Sequence, residues 1–327
     1  MAKKEERKVF LLKRSFKIIS LGLTAALSLS LCSFTSSAES ASDGGVSQIR
    51  SIEMPSAPSA QAFDRYELSV SKVYNKSVSA YSSVSVRYDG EKVAADARMI
   101  NGTPYIAVRS FFDEIGGMTV TYNSSSKVLN VKGVGFEMDI IDGSNVIYAN
   151  GRTLFSMTPS AVMSNGRMYA PASSVAKAIG LSYSYDGGIV SLRGNINPIT
   201  HGSVYYREDA VYWLSRIISA ESRGESLLGQ IAVGSVVMNR VDSELYPSTI
   251  WGVIFDKKYG VQFSPILDGS IYSAPVASAV VAAKICLEGF NVNKEALFFL
   301  YPRASTSSWI PNNREYLFSI GKHDFYA

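Results

Sequence analysis

The run Tyr205-Tyr206-Arg207-Glu208-Asp209-Ala210-Val211-Tyr212-Trp213-Leu214-Ser215-Arg216-Ile217-Ile218-Ser219-Ala220-Glu221-Ser222-Arg223-Gly224-Glu225 decides how the second half of the chain is read. Asp209 is a candidate N-cap, and the residues after it have helical periodicity. At about 100° per residue, Val211, Trp213, Leu214, Ile217 and Ile218 share one face, while Tyr212, Ser215, Arg216 and Ser219 share the other. Glu221 lands near the middle of the apolar face. A carboxylate there breaks the binary pattern, and such breaks concentrate at functional or strained sites. Desolvation disfavours the charged form, so a Glu facing apolar neighbours is expected to hold its proton towards neutral pH. Such a group can donate a proton to a leaving-group oxygen, which cleavage of a glycosidic bond requires. The pattern also admits a blander reading, in which Glu221 points to water from a fraying last turn.

Working outward, Gly224 is expected to break the helix and leave the acid at a cleft wall. A second helix is predicted over about 226–241, where Ala232, Gly234 and Ser235 permit close packing. Pro247-Ser248-Thr249 starts a short third helix. Residues 274–287, with Pro275 at the start and Gly289 past the end, read as the longest and most apolar helix. It is the expected core helix, with Cys286 as a buried, inert thiol.

The ordered set of fragments in this half is distinctive. Glu221-Ser222-Arg223-Gly224-Glu225 is followed by Gly229-Gln230-Ile231-Ala232-Val233, Val237-Met238-Asn239-Arg240-Val241, Tyr246-Pro247 and Gly252-Val253-Ile254. Then come Gln262-Phe263-Ser264, Ala296-Leu297-Phe298-Phe299-Leu300-Tyr301-Pro302, Trp309-Ile310 and Ile320-Gly321-Lys322-His323-Asp324-Phe325-Tyr326. Over residues 208–327 this resembles the SleB/CwlJ family of cell-wall hydrolases, the spore cortex-lytic enzymes. The resemblance implies a mostly helical, lysozyme-like catalytic domain acting on peptidoglycan during sporulation or germination. Ser222 departs from the Ala usual in the family.

Glycoside hydrolysis usually takes two carboxyl groups. Glu225 is the possible second carboxylate, but it also fits a plain role in the first turn of the next helix, favoured by the dipole. Asp256 and Asp268 lie in loop-like segments within reach of a cleft. A lytic transglycosylase, which the family resembles, needs one carboxyl. It protonates the bridging oxygen, then accepts the proton of the muramoyl C6 hydroxyl as a 1,6-anhydro ring closes. The expected activity is therefore lytic transglycosylation of the MurNAc-GlcNAc bond by Glu221. A water-using muramidase and a non-catalytic wall-binding protein remain as alternatives. Candidate substrate-binding residues are Gln262, Phe263, Ser264, Tyr301, Trp309, His323 and Tyr326. For Phe263 core packing is an open alternative, and His323 reads as a supporting hydrogen-bond partner. No metal or cofactor is expected, because His201 is the only other imidazole.

From Val84 the first half shows short alternating apolar runs broken by turn pairs: Asp89-Gly90, Asn101-Gly102, Asp142-Gly143, Asn150-Gly151 and Asn165-Gly166. It also contains a repeat. Asn101-Gly102-Thr103-Pro104-Tyr105-Ile106 through Ile115-Gly116 echoes Asn165-Gly166-Arg167-Met168-Tyr169-Ala170 through Ile179-Gly180. Each copy reads strand, short helix (108–115 and 172–179), Gly stop, strand. The region resembles the domain named for the N-terminal part of copper amine oxidases. Copper chemistry does not follow, because between Cys32 and His201 there is no His or Cys to supply the usual ligands. A docking module for wall or spore-coat proteins and a plain spacer are both compatible with it.

The whole is expected to be α+β and multidomain: a signal peptide over 1–38, a Ser/Ala-rich linker over 39–83, a β-rich repeat domain over 84–196, a linker over 197–207 and the catalytic domain over 208–327. Lys3, Lys4, Arg7, Lys8, Lys13, Arg14 and Lys17 precede an apolar stretch over 18–31 and the small residues Ser36-Ser37-Ala38, the signature of export. The first 38 residues hold seven of the 32 Lys and Arg and two of the 28 Asp and Glu, so the remainder carries 25 against 26. That balance argues against nucleic acid and is compatible with peptidoglycan glycan strands as partner. The expected location is the cell wall or spore envelope, with no stable membrane span after cleavage.

Overall fold

Four of the five turn pairs close two-residue hairpins. Asp89, Asn101, Asn150 and Asn165 and the glycine after each all have positive φ, the type I′ geometry whose twist matches that of paired strands. A computed structural model describes residues 82–158, 160–258, 260–305 and 308–327 of the 327. The expected signal peptide and most of the first linker lie outside the described residues. Asp142-Gly143 behaves differently, since Asp142 lacks a positive φ. It opens a wider connection in which Asp142 Oδ1 accepts the Met163 N–H at 2.9 Å.

Strands β1 (Ser85–Tyr88), β2 (Glu91–Val93), β12 (Ser182–Asp186) and β13 (Ile189–Arg193) form one sheet in which β1 runs parallel to β13. The repeat is visible in a second sheet. In the first copy β3 (Ala97–Ile100) and β4 (Thr103–Ala107) lead into α1 (Val108–Ile115), and in the second β10 (Val162–Ser164) and β11 (Arg167–Pro171) lead into α2 (Ala172–Ala178). Strands β4 and β11 pair antiparallel, with Ile106 opposite Ala170. These two residues hold the same place in each copy, so the repeats meet about a local two-fold. Between them in sequence lies a five-stranded antiparallel meander, β5 (Thr119–Asn123), β6 (Val128–Gly133), β7 (Phe136–Ile141), β8 (Val146–Ala149) and β9 (Arg152–Phe155). One apolar core, including Phe111, Phe112, Met138, Ile140 and Val175, unites these sheets and helices.

The second half is built on three helices: α4 (Glu208–Ser222), α5 (Leu227–Asp242) and α7 (Ala277–Leu287). Short α3 (Gly202–Tyr205) precedes them and α6 (Ile250–Ile254) lies between α5 and α7. Ser226 and Thr249 cap α5 and α6, each hydroxyl accepting an N–H from the first turn. Asp209 is not a cap; Arg207 holds that position, and Asp209 sits in the first turn of α4, where the dipole favours a carboxylate. Helix α7 is apolar and buried as expected, but it starts at Ala277 and is shorter than α4 and α5. The three helices converge at Gly234, where a Cβ would press on Ile218 of α4 and Cys286 of α7. Burial pushes the Cys286 thiol up to about 12, which leaves it inert at neutral pH.

One expectation needs correction. The two-faced pattern of α4 does not translate into one wet face: Tyr212, Ser215, Arg216 and Ser219 are all buried. Helices α5 and α7 and the turn at Ser270–Tyr272 cover it on several sides. Ser215 satisfies its hydroxyl on the Tyr212 carbonyl, Ser219 accepts the Val276 N–H, and Arg216 lies 3.9 Å over the Tyr212 ring. The C-terminal domain is mostly helical, as expected. It ends in an antiparallel sheet of β14 (Phe298–Leu300), β16 (His323–Tyr326) and β15 (Tyr316–Ile320), with β16 central, and α8 (Trp309–Asn313) precedes β15.

The stretch over 197–207 is pinned rather than free. Asn197 and Ile199 donate to Ile179 and Ala178 carbonyls, and Gly202 donates to Asn150. Tyr206 then donates from its hydroxyl to Glu288, the C-cap of α7, at 2.7 Å and accepts the Thr153 N–H at 3.0 Å. Arg152 of β9 grips the same carboxylate with Nε and Nη2 at 2.7 and 2.6 Å, and Lys177 of α2 reaches it at 3.4 Å. The two halves are thus joined through a buried ion cluster.

Candidate active site

Glu221 is the penultimate residue of α4, and its helix closes with the Arg223 N–H on the Ser219 carbonyl. Helix geometry therefore delivers the carboxyl to the end of α4 away from the ion cluster, roughly 20 Å along the axis from Tyr206. It is half-buried and lines a cleft of about 1350 Å³. Burial first, and the Asp268 carboxylate second, raise its pKa to about 7. No cation and no hydrogen bond counters these effects among the described residues. The frayed, solvent-facing alternative is not what is found. Asp268 itself is exposed and held below the usual carboxylate range by Ser270.

The cleft gathers most of the expected residues. Gln262, Phe263, Ser264, Tyr301, Trp309 and His323 all line it. Their exposure differs: Phe263 is buried between Arg240 and Phe299, a packing role as much as a lining one. Trp309 is 52% exposed, with Arg314 5.3 Å from its ring. Gln262 donates its side-chain amide to the Gly260 carbonyl, and Ser264 opens a short 3-10 turn. Tyr326 does not line the cleft; it is buried on the central strand, its ring 5.7 Å from that of Tyr316.

Glu225 takes neither of its expected roles plainly. It precedes the Ser226 cap, so it is outside the first turn of α5. Its carboxylate turns to the β15–β16 hairpin, where Oε2 accepts the Lys322 N–H at 3.2 Å. Gly321 has φ 60°, and any side chain there would collide with that oxygen. His323 stands with Nδ1 4.0 Å from Glu225 and no hydrogen-bond partner on that nitrogen among the described residues. Burial lowers the His323 pKa, so the ring is neutral at pH 7. No group of three His, Cys, Asp or Glu that could hold a metal occurs among the described residues.

Sequence reasoning passed over Arg240, Tyr246 and Arg314, which also line the cleft. Arg240 and Tyr246 sit in fragments already conspicuous in the sequence, but their helix-and-loop context reads as core or surface until the chain is folded. A second concavity of about 1110 Å³ lies over the five-stranded sheet, with Asn130, Lys132, Asp139, Tyr148 and Lys284 among its walls. No described helix is long and apolar enough to cross a membrane.

Comparisons with known proteins match two separate parts of the chain. Residues 224–326 match the family described as Cell Wall Hydrolase, and residues 87–192 match the Copper amine oxidase N-terminal domain. The spore cortex-lytic enzyme of Bacillus cereus is 37% identical over 120 residues, covering 37% of this chain and 45% of that protein. That of Bacillus subtilis is 37% identical over 112 residues, covering 34% and 35% respectively. The chain spans under half the length of these curated relatives. Among solved structures, the catalytic domain of the germination-specific lytic transglycosylase SleB from Bacillus anthracis is 35% identical. It covers 39% of this chain and all of that one, with a TM-score of 0.35.

Proposed function

Because the C-terminal domain is of the cell wall hydrolase family and follows a domain of the copper-amine-oxidase-N type, we propose that this chain is an exported lytic transglycosylase of peptidoglycan, acting on the spore cortex. The observation that carries the reading is the Glu221 carboxyl lining the cleft, with its pKa near 7 and no cation among the described residues to lower it. In its protonated form it donates to the oxygen between C1 of N-acetylmuramic acid and the next sugar, and that bond breaks. The resulting carboxylate then accepts the proton of the C6 hydroxyl as O6 bonds to C1. The products are a free 4-hydroxyl on one fragment and a 1,6-anhydro ring on the other, and Glu221 regains its proton. No water enters. Glu225 supports this reading by being engaged with the Lys322 N–H rather than facing the acid.

A second reading has one observation in its favour. Asp268 is near enough to raise the Glu221 pKa, so it is the carboxylate that would activate water in a muramidase. Mass spectrometry of digested cortex separates the two. Anhydro-muramoyl ends are expected, whereas reducing muramoyl ends would transfer the assignment to Asp268-assisted hydrolysis. Glu221→Gln is expected to cut turnover by roughly 10³-fold or more while glycan binding persists. Full cleavage by that variant would discard both readings.

A further inference from the structure

The cleft contains a second buried ionisable group that the proposed reaction does not use. Arg240, near the end of α5, is 4% exposed and lines the cleft. Its Nε donates to the Leu297 carbonyl at 2.8 Å, but Nη1, also buried, meets no acceptor among the described residues. The rings of Tyr246, Phe263 and Phe298 surround the guanidinium with centroids 5.0, 5.2 and 5.4 Å from Cζ. No carboxylate of the described residues forms an ion pair with it, and Asp256 acts on it only from a distance.

Burying a cation without a counter-charge is costly, and ring faces recover only part of the lost hydration. An apolar side chain would fill the same space between three rings without that cost. The charge therefore calls for a partner that arrives from outside. The cleft as a whole leans the same way. Arg223, Lys258, Arg314 and Lys322 line it with Arg240, against only Glu221 and Glu225. Across the whole chain the balance is much closer, 32 basic to 28 acidic residues. A cleft with this surplus attracts anions, and a guanidinium presents N–H groups in the plane that a carboxylate accepts.

We propose that Arg240 is an anion subsite of the cleft that takes a carboxylate carried by the glycan strand, on the lactyl ether or on the peptide attached to it. This rests on the peptidoglycan reading and names the class of substrate within it: acidic strands in preference to neutral ones.

The test uses the full chain with Glu221→Gln, so that ligands bind without turnover. Three soluble tetrasaccharides of alternating N-acetylglucosamine and N-acetylmuramic acid are titrated. One has free lactyl carboxylates, one has them capped as neutral alanine amides, and one carries L-alanyl-D-glutamate. At least one acidic ligand is expected to bind about tenfold tighter than the neutral one, and whichever does so identifies the source of the carboxylate. Raising salt to roughly 0.5 M should erode that preference. Adding Arg240→Met is expected to leave the fold intact and make all three ligands bind alike. If that protein does not fold, Arg240→Gln is used, with the same readout. Equal affinity for all three ligands before Arg240 is changed, or a preference that survives its replacement, overturns the subsite. Binding of none of the three sinks the peptidoglycan reading and takes the subsite with it.

Discussion

Glu221 and Glu288 both lie at C-terminal ends of helices in the same bundle, where the helix dipole disfavours a negative charge. Their surroundings then drive them apart. Glu288 is 4% exposed in its side chain, yet Arg152, Tyr206 and Lys177 converge on it and hold its pKa below the usual carboxylate range against the burial. Glu221 is less enclosed, but its burial and the repulsion of Asp268 meet no opposing cation or donor among the described residues, so its pKa rises to about 7. What separates a carboxylate held ionised from one that keeps its proton towards neutral pH is therefore not depth. It is whether the fold supplies cations and donors to go with it.

The comparison breaks most visibly at Glu288. Replacing it with Gln leaves the Arg152 guanidinium buried between Tyr205 and the domain boundary without its counter-charge. The expected loss is about 3–5 kcal/mol in urea denaturation. Because the cluster bridges the halves, the loss should appear as an earlier separate transition or as mobility of one half against the other. Replacing both Glu288 and Arg152 with Met should recover much of it. A Gln variant as stable as the parent would mean that the cluster does not hold the halves together.

The next effect sharpens the contrast through pH. Glu221 has a raised pKa in the folded chain, so its stability contribution is complete below about pH 4.5 and is lost as pH climbs through about 7. Glu221→Gln mimics the protonated form. It should melt with the parent at pH 4.5 and gain on it by up to roughly 3 kcal/mol at pH 8. Glu288 has the opposite sign: its contribution exists above the unfolded carboxyl pKa and disappears as pH falls through its lowered folded value. The deficit of Glu288→Gln should therefore shrink in acid. Melting temperatures measured between pH 3 and pH 8 test both signs, and an offset independent of pH in the Glu221 variant would refute the raised pKa.

The same contrast marks how far the sequence could be read. Short-range signals carried: the Asn-Gly and Asp-Gly hairpins, the Ser226 and Thr249 caps and the placement of Glu221 all depend on neighbours within a few residues. Long-range pairings did not, because nothing in either fragment advertises the other. Arg152 and Glu288 are 136 positions apart, and neither stands out in its own element. The buried polar side of α4 escapes the pattern for the same reason, since helical periodicity reports one covering layer and α4 has several. At the site, Phe263 and Tyr326 both sit in conspicuous fragments, yet only Phe263 lines the cleft. Strand alternation in β16 sends neighbouring residues to opposite faces, and a four-residue strand at the chain's end carries little periodicity of its own.

The smallest expected effect concerns Ser222, adjacent to Glu221 in α4. A hydroxyl beside a carboxyl could stabilise the ionised form and pull Glu221 towards the behaviour of Glu288. Ser222 is buried, however, and its Oγ donates to the Ile218 carbonyl at 2.7 Å, one turn back along α4. That bond uses its only proton, so it has none to give to Glu221. Ser222→Ala removes a back-bonded hydroxyl from a helix and adds a better helix former, two changes that nearly offset each other. Stability should move by less than about 1 kcal/mol, and the pH at which turnover falls should stay near that set by Glu221. If the alkaline limb of the rate profile instead shifts upward on losing the hydroxyl, Ser222 has been donating to the carboxylate during the reaction, and Glu221 is less isolated than its neighbours imply.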